Sequence, residues 1–210
     1  MLKAFSKEKW QYLMYTVSHP MDGYYWIRRQ ERGSVPIAIL LVIVFGICFT
    51  SNRLLASFVV NDVDPRGVNL AFELLGVLLF YLLLCVSNWS VTSLMNGEGR
   101  LKDIAIAIGY GTLPVSFGLV LATLVSQFLA DDEQAFYTII LIITIAYGLI
   151  MVMIGIMQVH NYTLGKTLIT LFLTFVAMLI IVFIVLLLTN LLGRVFNFFA
   201  SIYTEIIFRT

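Results

Sequence analysis

The sequence predicts an all-α polytopic membrane protein: a bundle of five transmembrane helices with short amphipathic flanking helices. Three observations carry this. Hydrophobic residues make up 60% of the chain and charged residues 12%, too apolar to cover a water-facing surface. Five runs come close to the roughly 20 apolar residues that cross a bilayer core. The runs lack the alternation of barrel strands, and within lipid only helices or closed barrels satisfy their own backbone groups.

The elements follow in chain order. Residues 1–34 form an amino-terminal segment. Within it Trp10, Leu13, Met14 and Val17 recur at helical spacing, flanked by Lys7 and Lys9. This predicts a short interfacial helix on the inner leaflet, although Lys3 falls on its apolar face. The first apolar run begins only at Val35, later than a cleavable secretory signal would place it, so the first span is expected to be permanent. The spans are expected near 35–50, 68–95, 104–129, 135–158 and 167–192, and residues 193–210 form an amphipathic tail. In that tail Asn197, Ser201 and Glu205 mark one stripe, and Phe198, Phe199, Ile202 and Ile206 fill the rest. It reads either as an outer-leaflet helix or as a continuation of the fifth span against its neighbours.

Lys and Arg in the short loops set the orientation. With the amino terminus inside, the cytoplasmic side holds Lys3, Lys7, Lys9, Arg28, Arg29, Arg32, Arg100, Lys102 and Lys166. The other side holds Arg53, Arg66, Arg194 and Arg209. The expected arrangement is amino terminus in, carboxyl terminus out. The net charge of +1 offers no field to draw in a nucleic acid. Cys48 and Cys85 lie inside apolar runs and read as plain thiols.

The most informative stretch joins the second and third spans. Gly97 and Gly99 bracket Glu98, and Arg100, Lys102 and Asp103 follow, with Asn88 and Trp89 just upstream. It reads either as a solvated hairpin of compensating charges or as a docking surface for a partner, to which Arg28, Arg29 and Arg32 would add. Trp89 fits an interfacial anchor, and Asn88 a bond to a neighbouring helix or a transport role. In the third span Tyr110 lies between Gly109 and Gly111, and Pro114 predicts a kink. Gly118, Ala122 and Ser126 make a small-residue seam that serves packing within the chain or a homo-oligomer. The fourth loop holds His160, Gly165 and Lys166; His160 reads as an interfacial or hydrogen-bonding residue, and His19 is too distant in sequence to suggest a metal site with it. Glu73 lies inside an apolar run within reach of Arg53 or Arg66. No Ser-His-Asp, Cys-His or paired-carboxylate pattern is readable, so no enzyme and no cofactor are expected.

These residues resemble the Yip domain family, membrane proteins named for interaction with Ypt/Rab GTPases. The resemblance runs from about His19 to Arg209 and rests on four pieces. They are His19-Pro20, Gly23 and Arg32-Gly33-Ser34; Asn88-Trp89, Gly97-Glu98-Gly99 and Lys102-Asp103; Tyr110 with Pro114; and His160 with Gly165-Lys166. It implies a five-span bundle with a cytoplasmic amino terminus and a non-catalytic scaffold or accessory role. Eukaryotic members act as adaptors in trafficking between endoplasmic reticulum and Golgi. Their Asp-Leu-Tyr-Gly-Pro pattern is absent here, and the stretch before the first span is about thirty residues. That departure points to the bacterial branch and the bacterial plasma membrane, where the implied partners are ABC transporter components; the alternative location, for a eukaryotic chain, is the endoplasmic reticulum or Golgi membrane. The alternative reading is a small transporter, channel or lipid-moving protein, with Asn88, Tyr110, Pro114 and Glu73 lining a cavity.

Overall fold

The computed structural model describes residues 6–61 and 63–208. Lys3, Arg209 and the side chain of Ile206, invoked above, lie outside this description. The described chain is helical: α1 (Lys7–Ser18), α2 (Pro20–Gln30), α3 (Val35–Leu55), α4 (Leu70–Leu94), α5 (Leu101–Ser126), α6 (Gln134–His160) and α7 (Leu164–Phe208). The last five are long and apolar enough to cross a membrane. The chain is thus an all-α polytopic membrane protein.

α5 is the central post. It packs most extensively on α6 and then on α3, while α4 lies against α3, α5 and α7. Glycines let α5 approach so closely. A Cβ on Gly109 would lie 2.7 Å from that of Ala38 on α3, and one on Gly111 would meet Val152 of α6 at 2.6 Å. The predicted seam works inside the chain. Gly118 faces Thr144 of α6, Ala122 is buried, and Ser126 Oγ accepts the Ser57 N–H at 3.1 Å. α5 runs through Pro114 as one helix.

The amino-terminal segment forms two helices where the sequence predicts one. Proline fixes φ and suits the first turn of a helix, and Pro20 starts a second helix, α2. Leu13 and Thr16 of α1 are fully buried, whereas Met14, expected on the same apolar face as Leu13, is 60% exposed. α1 therefore turns Leu13 and Thr16 inward, against α2 and α5. The Tyr12 hydroxyl donates to the Gly23 carbonyl at 2.6 Å, and the Tyr24 hydroxyl donates to the Ala107 carbonyl at 3.2 Å. The first bond joins α1 to α2, and the second fixes the pair to α5.

α7 continues unbroken through Gly193 to Phe208. At 1.5 Å per residue its 45 residues extend roughly 67 Å, over twice a hydrocarbon core of about 30 Å. Its buried positions are Thr167, Thr170, Thr174 and Met178, all in the first third.

Candidate functional site

At the amino-terminal end of the bundle the turn between α4 and α5 meets the end of α6. Two asparagines make this tight. Asn96 and Asn161 adopt left-handed φ angles of 53° and 55°, a conformation asparagine accepts more readily than most residues. Asn96 reverses the chain after α4, and Asn161 closes α6. The Tyr162 hydroxyl then donates to the Met95 carbonyl at 3.2 Å, and the Gly99 N–H donates to His160 Nδ1 at 3.1 Å.

The sequence places His160 in a loop, as an interfacial or hydrogen-bonding residue; it does hydrogen-bond, but not from a loop. It is instead the last residue of α6 and 1% exposed, its ring stacked on Tyr162 with centroids 5.2 Å apart. The turn passes over this ring so closely that side chains do not fit. A Cβ on Gly97 would lie 2.6 Å from His160 Nδ1, and one on Gly99 would lie 2.6 Å from His160 Cε1 and 2.5 Å from Val159 Cγ1. The two glycines are therefore required by close approach.

Charge is arranged around this buried post. Asp103, fully buried, accepts the Arg100 N–H at 3.3 Å and pairs with Arg100 Nε at 2.8 Å. It was expected as one charge of an exposed corner; it caps α5 from inside instead. Glu31, which sequence reasoning passed over, bridges Arg100 at 3.0 Å and Lys102 at 2.8 Å. Its backbone has a left-handed φ of 51°, and its carbonyl accepts a bond from Lys9 Nζ, which also reaches the Gly33 carbonyl. Arg28 pairs with Glu98 and donates to the Val159 carbonyl at 3.4 Å. α2 is thereby tied to the α4–α5 turn and to the end of α6. Tyr110 joins from below: its buried hydroxyl accepts the Ser34 N–H at 3.1 Å.

Of the remaining predicted residues, Lys166 touches this cluster and the others lie apart from it. Arg29 stacks on Tyr25 of its own helix, and Arg32 lies over Tyr12. Lys166 sits over the Tyr162 ring at 4.0 Å, while Gly165 has open space around it. Trp89 is 44% exposed on α4. Asn88 is buried and donates to Thr174 Oγ1 at 3.0 Å, joining α4 to α7. Glu73 pairs with Arg53. Asn88, Tyr110, Pro114 and Glu73 are not among the side chains that wall the crevice between the spans.

The two exposed carboxylates are tuned by their partners. The Lys102 ammonium hydrogen-bonded to Glu31, with Arg100 beside it, holds that carboxyl below the ordinary value of 4.5. The Arg28 guanidinium does the same for Glu98. A lowered folded-state value means these bridges are in full force above the ordinary value and are lost as pH falls through the lowered one. Amide exchange of α2, corrected for intrinsic rates, is therefore expected to stay protected at pH 4.5 and to rise only in more acid solution. A rise centred above that pH would contradict this.

The arrangement is a rigid charged corner on a membrane bundle. Every acidic group in it is engaged by a cation, its histidine is enclosed, and among the described residues no group of His, Cys, Asp and Glu could hold a metal ion. What the fold and corner define is a helical integral membrane protein with an ordered surface at one end.

The model of the Yip1 domain matches residues 14–187, and the chain belongs to that family. No curated protein and no solved structure matched the chain.

Proposed function

We propose that the protein is a non-catalytic membrane adaptor whose amino-terminal corner docks another protein. One observation carries this reading: the exposed Glu31, Arg100 and Lys102 are paired with one another and Glu98 with Arg28, while buried Asp103 and His160 anchor Arg100 and the Gly99 backbone of the turn. Surface charges on long side chains ordinarily lose conformational entropy when a partner binds, and here much of that ordering already exists. Family membership supports a protein-binding role. The corner faces the cytoplasm, as the loop cations favour, and the membrane is a bacterial plasma membrane. The partner is a subunit of a membrane complex of the ABC transporter type.

A photoreactive residue at Lys102 in native membranes should capture one defined protein. Charge reversal by Glu98→Arg should reduce that adduct about tenfold, the equivalent of about 1.4 kcal/mol. The double variant Arg28→Glu/Glu98→Arg restores the internal bridge but inverts the surface, so the adduct should stay low. Recovery in the double variant would assign the pair a structural role alone. Capture of only lipids and random neighbours would reject docking.

A further inference from the structure

α4 and α6 hardly meet along their lengths, although both flank α5. Two neighbouring lobes of about 470 and about 500 Å³ lie between them and share the wall residues Phe80, Leu84, Leu149 and Val152. We infer that the larger-walled lobe, closed by α3 and α5, is a phospholipid site: one acyl chain lies in the crevice and its phosphate rests on Arg53.

Shape argues for a chain rather than a helix. At roughly 30 Å³ per methylene, near the space a water molecule takes in the liquid, a 470 Å³ lobe holds about 16 methylenes. A transmembrane helix, about 10–12 Å across, needs that much room for a single turn. Length agrees. Along α6 the wall runs from Leu141 to Val152, roughly 16 Å at 1.5 Å per residue, against about 15 Å for half of the bilayer core. The wall is apolar except where Asn52, Tyr81 and Thr112 join it; Asn52 is occupied by Thr123 and Tyr137, and the Tyr81 hydroxyl donates to the Ala105 carbonyl.

The mouth carries the charge that a phospholipid needs. Arg53 follows Asn52 on α3, and its guanidinium carbon lies 6.0 Å from the centroid of Phe49, another wall residue. Arg53 bridges to Glu73 through one nitrogen, Nη1. The carboxylate is turned inward, its side chain 12% exposed, while that of Arg53 is 38% exposed. The accessible face of the pair is therefore positive, and guanidinium matches phosphate in charge and fork geometry.

The test uses the full chain in vesicles of phosphatidylethanolamine and phosphatidylglycerol, with phosphatidylglycerol carrying a mid-chain diazirine as probe. Wild-type label should concentrate on the peptides holding Phe80–Leu84 and Leu149–Val152 rather than on the outer stretch of α7. Phospholipid retained on the purified protein, read by native mass spectrometry, should fall about tenfold in Arg53→Gln, about 1.4 kcal/mol of lost affinity. Arg53→Lys should keep it, and so should Glu73→Gln, which breaks the same ion pair but leaves the cation. Leu149→Trp should plug the crevice and remove the label, whereas Leu187→Trp on exposed α7 should not. Label spread evenly over α7 and the crevice in wild type would overturn the inference, whatever the variants do. Equal losses in Glu73→Gln and Arg53→Gln would overturn it too, because the bridge would then be structural.

Discussion

Gly109→Leu is expected to lower the stability of the bundle by about 3 kcal/mol or more, at the upper end of overpacking costs. Glycine to alanine in an open helix normally gains about 1 kcal/mol. Here the sign reverses, because the added carbon meets backbone. Besides the Ala38 Cβ at 2.7 Å, it meets the Ala38 carbonyl oxygen at 2.9 Å and Cα at 3.0 Å. Backbone cannot rotate aside, so α3 must move off α5. That motion also breaks the bond from the Ser34 N–H to the Tyr110 hydroxyl. Unfolding in mixed micelles should show a lower midpoint for Gly109→Ala and a lower one still for leucine. An unchanged midpoint would mean that α3 and α5 do not touch here.

His160→Ala is the second large effect, expected to cost about 2–4 kcal/mol from a cavity and a bare Gly99 N–H. The consequence is local before it is global. The Gly97–Gly99 turn rests on the imidazole, so amide exchange over residues 95–103 should rise first and most. Gly165→Ala provides the contrast. That glycine has nothing within 4 Å of its missing Cβ, and the substitution should be neutral or stabilise by up to about 1 kcal/mol. Equal exchange in wild type and His160→Ala would remove the histidine from its role as support for the turn.

Much of the architecture was legible because lipid imposes a simple code. Residues from Val35 onward read as helices by apolar length, and α3 to α7 follow. α2 was not foreseen: Tyr24 and Ile27 bury one face, but eleven residues with Arg28 and Arg29 are short and polar beside the spans. Its start signal, proline after His19, was present in the sequence. The corner was half legible. Gly97 and Gly99 stood out as turn residues, but the ring that makes glycine necessary belongs to His160, brought in by tertiary packing. Asp103 and Glu31 show the same limit. A sequence lists charges, and burial of one carboxylate with exposure of the other follows only from how α2 lies on α5 and α6. The crevice had no sequence signal, since its walls use the same Leu, Val and Phe that face lipid elsewhere.

The central claim is that an ordered corner on the Yip1 bundle binds a protein. The mass of the intact complex released in mild detergent tests it most directly. The prediction is the chain together with one defined protein of different sequence, lost on reversing Glu31 and Glu98 to arginine while the variant remains folded. A bare chain, multiples of the chain alone, or a partner retained unchanged by the reversal would contradict it.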